Sequence, residues 1–184
     1  WQLEALKSIK NKEFIFIVGA HKEMIIKKIK EKISENVTFI FNENYSKTNC
    51  GYSLSKALKF INQDWIYLNS DLFFENSMTS IIQNMLGSNS ICVNYGEKTD
   101  LHQFTLGVNN FIEKWIPIDT NITTKKDLES LPEPDGEIVG PIIGTKNLAA
   151  NLLRKFESLS EERKKSISCY TLFSLINNSN FNAI

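Results

Sequence analysis

A lone carboxylate at the end of an apolar strand is the first feature of this sequence that could do chemistry. Trp65-Ile66-Tyr67-Leu68 reads as a buried strand running into Asn69-Ser70-Asp71, which puts Asp71 at the strand's carboxyl end. Open parallel sheets bind ligands beyond those ends, and a carboxylate there can hold a hard divalent cation, naturally Mg²⁺ bridged to phosphate oxygens. The plainer reading is an Asp that caps a turn or the following helix. A second feature is the loop from Asn42 through Tyr45 and Asn49 to Ser53, which joins a strand end to a helix start. It offers amide side chains, hydroxyls and free backbone N–H groups, a set that suits a nucleotide. Against this stands an ordinary surface loop with Ser53 as the helix cap. His21 and His102 are isolated, with no Ser/His/Asp or Cys/His grouping around them, and read as surface or loop residues rather than general bases.

The elements that must position these residues follow from hydrophobic spacing. Phe14-Ile15-Phe16-Ile17-Val18 is a continuous apolar run ending at Gly19, the pattern of a central parallel strand buried on both faces. Lys22 to Ile33 places Met24, Ile25, Ile29 and Ile33 on one helical stripe, and Val37 to Phe41 is a second β-rich run, completing a βαβ unit. A helix opening at Ser53 carries Leu54, Ala57, Leu58 and Ile61, and Ser77 opens another through Met85. Strands are expected at 91–93 and 104–108, with 111–115 following a turn at Asn109-Asn110, and 138–143 resumes a core-like pattern. The polar stretch from Asp119 to Asp135, with Pro132 and Pro134, reads as an excursion or lid rather than a boundary. Helices are expected from Lys146 to Leu159 and from Ser166 to Ile176, and the last residues enter another strand.

Bulk properties narrow the function classes. A chain of 184 residues with 42% hydrophobic and 23% charged residues fits one domain with a substantial core. Lys plus Arg and Asp plus Glu both number 21, so no global field favours nucleic acid or an anionic membrane. No apolar run approaches the roughly 20 residues that span a bilayer. Cys50, Cys92 and Cys169 are widely spaced and odd in number, which speaks against a disulfide framework or structural zinc and for a reducing, cytoplasmic compartment. Because Gln2 to Lys7 reads as the middle or end of a helix, and the far end stops inside a strand, the single domain 1–184 is expected to be truncated at both ends.

Taken in order, Gly19-Ala20-His21-Lys22-Glu23, then Asn42, Tyr45, Asn49, Ser53-Leu54 and Ala57, then Asn69-Ser70-Asp71, then Gly136-Glu137-Ile138-Val139-Gly140 have a family look. The chain resembles the sugar-phosphate and choline-phosphate nucleotidyltransferase superfamily, and most of all its cytidylyltransferases for phosphocholine and phosphonates. The resemblance covers nearly the whole chain. It implies a Rossmann-like three-layer αβα fold with a mostly parallel sheet. It implies that Asp71 binds Mg²⁺ on the triphosphate, that Asn49 and Ser53 lie near base and ribose, and that Glu137 approaches the acceptor pocket with Tyr52 beside it. Three departures stand out: the family's glycine-rich cationic loop would precede Trp1, its second metal carboxylate would lie past Ile184, and Ser70 replaces the usual Gly. Trp115-Ile116-Pro117-Ile118-Asp119-Thr120 is similar to the family's closing motif but precedes Glu137, and Asp119 is taken as coincidental.

The implied reaction is in-line attack of an acceptor phosphate or phosphonate oxygen on the α-phosphorus of a nucleoside triphosphate, CTP being favoured, with pyrophosphate leaving. Such an oxygen is already anionic and needs no strong base, so alignment and charge neutralisation carry the rate, and no catalytic His or Cys is required. Phosphocholine, an aminoalkylphosphonate and a sugar phosphate all remain open as acceptors, and Tyr52, Tyr95 or Trp115 could cage a quaternary ammonium. Residues 1–184 alone are expected to be inactive without the cationic loop. Two other readings are a nucleotide-sugar-dependent glycosyltransferase, whose usual D-x-D is not met by Asn69-Ser70-Asp71, and a catalytically inactive nucleotide-binding or assembly domain of the same fold. Oligomeric state is not legible here.

Overall fold

The two apolar pentapeptides near the start form the first ladder, in parallel. In the computed structural model, β1 (Phe14–Val18) pairs residue for residue with β2 (Val37–Phe41), and α2 (Lys22–Lys30) connects them, as the βαβ spacing requires. The structure describes residues 2–33, 36–73, 75, 77–95, 103–106, 110–116, 133–176 and 181–184, with the backbone alone at Lys114 and Ile116. His102, Asn109, Asp119 and residues 119–132 of the expected excursion lie outside the described residues.

The larger sheet is organised around one long strand. β7 (Gly136–Gly144) runs antiparallel to β3 (Trp65–Tyr67), β4 (Ser90–Tyr95) and β5 (Gln103–Leu106). β5 pairs in turn with β6 (Ile112–Ile116), and β8 (Asn182–Ala183) joins β4 in parallel. The expectation of a mostly parallel sheet is therefore corrected: among the described residues β1 and β2 form a separate parallel pair, and in the larger sheet one ladder, β4 with β8, is parallel and four are antiparallel, giving a mixed sheet. An apolar run states that a strand is buried, not the direction of its neighbours. β3, β4 and β5 share one sense, β6 takes the opposite one beside β5, and β7 keeps the sense of β6 while lying against β3, β4 and β5, which makes its ladders antiparallel.

Helices cover both faces of this sheet. Successive β7 side chains alternate between faces, and Ile142 and Ile143, both fully buried, enter different cores. Ile142 packs with α3 (Cys50–Leu58), α5 (Lys146–Glu157) and α7 (Cys169–Ser174) through Leu54, Leu58, Leu148, Leu152 and Phe173. Ile143 packs under α1 (Gln2–Ala5), the 3₁₀ turn Leu6–Ser8 and α4 (Ser77–Met85) through Leu6, Ile9 and Ile82. The C-terminal helix expected from Ser166 to Ile176 is the shorter α7, and a separate helix that the spacing does not predict, α6 (Glu161–Ser166), precedes it; Ile167 between them is extended and Ser168 caps α7 by accepting from Thr171 N–H. β1, expected to be buried on both faces, is only half-buried except at Val18. It pairs with β2 alone, and β3 with β7 alone, among the described residues.

Candidate functional site

The loop after β2 is folded by one buried amide. Asn42 is 1% exposed; its Nδ2 donates to Thr48 Oγ1 at 3.1 Å and Ser53 Oγ at 3.0 Å, while its Oδ1 accepts Asn44 N–H. Its own N–H reaches Val18 carbonyl at 2.9 Å, so one residue ties the ends of β1 and β2 to the start of α3. A buried amide so satisfied is costly to remove, since each orphaned partner forfeits its hydrogen bond. Tyr45 lies over Gly19, where a Cβ would come within 2.6 Å of the tyrosine Cβ, so the glycine admits the loop's close approach to the strand end.

Helix α3 starts earlier than its spacing suggests. Asn49, not Ser53, is the N-cap: its Oδ1 accepts from Cys50 N–H at 2.7 Å and its Nδ2 donates to Ser166 carbonyl at 3.2 Å. Ser53 instead lies within the helix and accepts from Asn42. Asn49 N–H also reaches Lys165 carbonyl, and Gly51 N–H reaches Ile167 carbonyl, which press the first turn of α3 onto the α6–α7 link. A Cβ on Gly51 would sit 2.6 Å from that carbonyl oxygen, so only glycine allows the contact.

Asp71 is exposed in the turn that follows β3, as the sequence places it. Behind it stands a polar cluster that sequence reasoning missed. Asn69 Nδ2 donates to Tyr170 Oη at 3.1 Å, and the Tyr67 hydroxyl donates to Asn69 Oδ1. Cys169 stands next to Tyr170 at the start of α7, and its N–H donates to Cys50 Sγ. Burial, then the charges of Cys169, Asp71 and Cys50, push the Tyr170 phenol up to about 12, which places Asp71 and the first residue of α3 in one electrostatic neighbourhood. Burial likewise pushes the Tyr67 phenol well up, so both phenols stay protonated, Tyr67 donating to Asn69 and Tyr170 accepting from it. The turn is further held by Gln2, whose Nε2 donates to the carbonyls of Asn69 and Leu72.

Thus hydrogen bonds from Asn69 to Tyr170 and from Cys169 to Cys50 link the turn that carries Asp71 to the Asn49-capped start of α3. Ser53 and Tyr52 lie one turn further along α3; Tyr52 packs edge-on against Phe156, with the Lys56 ammonium 5.6 Å from its ring. Glu137 is 5% exposed on β7, opposite Asn94 of β4 and Gln103 of β5, and is not among the groups gathered around Asp71. Of the aromatic cage candidates, Trp115 is 3% exposed and stacks on Phe173 at 6.2 Å, so it is core. Tyr95 is exposed and meets Phe104 edge-on. His21 is the N-cap position of α2 with φ 53°, making no side-chain cap bond. Among the described residues no group of three or more His, Cys, Asp or Glu is placed to hold a metal ion, and no helix is long and apolar enough to cross a membrane. Cys50 and Cys169 left one local signal in the sequence: each directly follows a residue suited to N-capping, Asn49 and Ser168.

A family model described as "Domain of unknown function (DUF6564)" matches residues 3–97. The chain belongs to this family. No curated protein matches it. Solved structures do. The CTP:phosphocholine cytidylyltransferase LicC from Streptococcus pneumoniae superposes with TM-score 0.65 at 20% identity, over 100% of this chain and 74% of its own. HddC from Yersinia pseudotuberculosis gives 0.62 at 15%, over 100% and 74%. The inositol-1-phosphate CTP transferase from T. maritima gives 0.65 at 11%, over 94% and 65%. At these identities the likeness concerns architecture: this DUF6564 chain has the α/β fold of the nucleotidyltransferase superfamily that its motifs resemble.

Proposed function

We propose that this protein transfers a nucleoside monophosphate, CMP from CTP in the favoured case, to a phosphorylated small molecule such as phosphocholine, an aminoalkylphosphonate or a sugar phosphate, releasing pyrophosphate. The observation that carries the reading is Asp71, an exposed carboxylate in the turn after β3, a turn tied by Asn69 to Tyr170 of α7, whose neighbour Cys169 bonds the first residue of α3, within a nucleotidyltransferase fold. Helix N-termini present free N–H groups and a partial positive charge to phosphates, and α3 is oriented so that its start meets the loop from Asn42 to Asn49. In this reading Asn49 and Ser53 line the nucleotide, Asp71 faces the triphosphate, and Glu137 with Tyr52 belongs to the acceptor side.

A single exposed carboxylate fits Mg²⁺, which commonly takes one or two protein carboxylates and completes its shell with water and substrate phosphates. Bound there, it would neutralise phosphate charge as pyrophosphate departs. The chain's own work is positioning: Asn42 fixes the loop, Asn69 and Gln2 fix the Asp71 turn, and behind it Tyr67 donates to Asn69 while Tyr170 accepts from it. A cytoplasmic setting agrees with the odd cysteine count.

A second reading, a nucleotide-binding or assembly domain without turnover, is favoured by Asn49, whose side-chain oxygen and nitrogen are both engaged by Cys50 N–H and Ser166 carbonyl. The experiment that separates the two is pyrophosphate release by the full-length protein with Mg²⁺, crossing CTP, UTP, dTTP and ATP with phosphocholine, 2-aminoethylphosphonate and glucose-1-phosphate. Release with one pair supports the enzyme and names its class. Nucleotide binding without release from any pair supports the second reading.

A further inference from the structure

Two cysteines far apart in sequence meet in the cluster behind Asp71, and the proposed transfer assigns no chemistry to their sulfurs. Cys50 and Cys169 are 119 residues apart, and Cys169 N–H donates to Cys50 Sγ at 3.0 Å. Each is the first residue of its helix, behind the caps Asn49 and Ser168, so the starts of α3 and α7 converge on the two sulfurs. The two thiols are close enough to shift one another's titration in opposite directions. Their exposures differ: Cys50 is exposed, whereas Cys169 is 1% exposed. The approach is fixed by backbone, through Gly51 N–H on Ile167 carbonyl and Asn49 N–H on Lys165 carbonyl. Cys92 is buried on β4 and stands apart from the pair.

We propose that Cys50 is a site of oxidation by hydroperoxides, and that Cys169 resolves the product into a Cys50–Cys169 disulfide joining the starts of α3 and α7. The Cys50 thiolate attacks one peroxide oxygen; the S–O bond forms, the O–O bond breaks and hydroxide leaves, so sulfur loses two electrons and the peroxide gains them. The Cys169 thiol then attacks the Cys50 sulfur of the sulfenic acid. The S–S bond forms, the S–O bond breaks, and the hydroxide takes the Cys169 proton and leaves as water.

The environment is arranged for this division of labour. The hydrogen bond from the Cys169 thiol, opposed by desolvation and aided by the N–H groups of Cys169, Cys50 and Gly51, holds Cys50 down at about 6. Burial, with the hydrogen bond to Cys50 and its charge, holds Cys169 well above the ordinary thiol range. An accessible thiolate is the attacking group and a buried thiol beside it the resolving one. Cys92, raised to about 11 by burial, supplies an internal control.

The test is a brief exposure of the reduced full-length protein to stoichiometric hydrogen peroxide, followed by alkylation and peptide mass analysis. The expected result is a peptide pair linked through Cys50 and Cys169 that dithiothreitol separates, with Cys50 consumed roughly tenfold or more faster than Cys92. In Cys169→Ser, checked for a native circular dichroism spectrum, dimedone should trap a sulfenic acid on Cys50; in Cys50→Ser neither link nor trapping on Cys169 should occur. The proposal is overturned if Cys50 reacts no faster than Cys92, or if the wild type accumulates dimedone-reactive Cys50 with no link to Cys169. Because every readout is covalent, it stands or falls separately from pyrophosphate release.

Discussion

β1 and β7 are both apolar runs ending in glycine, yet the molecule treats them differently. Eight of the nine β7 positions are buried, against one of five in β1. The helices repeat the contrast: α5 buries Leu148, Ala149, Leu152 and Phe156, whereas α2 buries none of its residues and leaves Met24 53% exposed. Composition does not explain this, because Phe14-Ile15-Phe16-Ile17-Val18 is the more uniformly apolar strand. Neighbours do. β7 has β3, β4 and β5 on its edges and a helix layer on each face, while β1 has β2 and its stacked phenylalanines, Phe14, Phe16 and Phe39. Fully burying a large apolar side chain contributes about 1.5–3 kcal/mol. The six-stranded sheet collects most of that contribution, and the β1–α2–β2 unit holds apolar surface that is only partly used.

The largest expected effect tests this contrast in stability. Phe173→Ala, which removes a fully buried ring stacked between Trp65 and Trp115, should cost about 3–5 kcal/mol in denaturant unfolding. Phe16→Ala on half-buried β1 should cost about 1 kcal/mol, the transfer contribution of a partly exposed ring. Equal costs would break the comparison. Amide exchange gives the same contrast without mutation: Ile142 and Ile143 should exchange on the order of 100-fold more slowly than Ile15 and Ile17.

Asn42 joins the two regions, and its loss should be felt at the seam. Asn42→Ala should cost about 1–3 kcal/mol, because Ser53, Thr48 and Asn44 N–H each lose a partner. Asn42→Asp should fall between wild type and alanine, retaining the acceptor but not the donor; an alanine variant as stable as wild type would show that the seam does not depend on this residue. The smallest effect concerns reactivity alone. Cys50 faces Cys169, with Tyr67, Tyr170 and Asp71 in the same cluster, and a thiol lowered below its ordinary value is more fully thiolate at neutral pH. Its alkylation by iodoacetamide should therefore rise through a midpoint near pH 6 in the folded protein and move up towards the ordinary thiol value of about 8.5 in urea.

The sequence carried the elements well where burial and periodicity coincide. The βαβ unit, the helices at Ser77 and Lys146, and Asp71 beyond the third strand all stand where their spacing puts them. It carried less where tertiary partners decide. Ser53 is an N-cap residue by type, but Asn49 takes the cap because Lys165 and Ser166 carbonyls hold it there, more than 110 residues away. The break at Ile167 and Ser168 is set by a local cap, and the sense of the sheet by where β7 returns; neither is written in hydrophobic spacing. The meeting of Cys50 with Cys169, and of both with Tyr67, could not be read from residues so widely separated.

The central claim rests on Asp71, so the most direct measurement compares wild type with Asp71→Asn in the full-length protein, following pyrophosphate release with Mg²⁺, CTP and the responsive acceptor. The account predicts a fall of roughly 100-fold or more with the fold intact, since the exposed turn contributes little to the core while a metal-facing carboxylate contributes several kcal/mol to charge stabilisation. Release at the wild-type rate in the variant would contradict it.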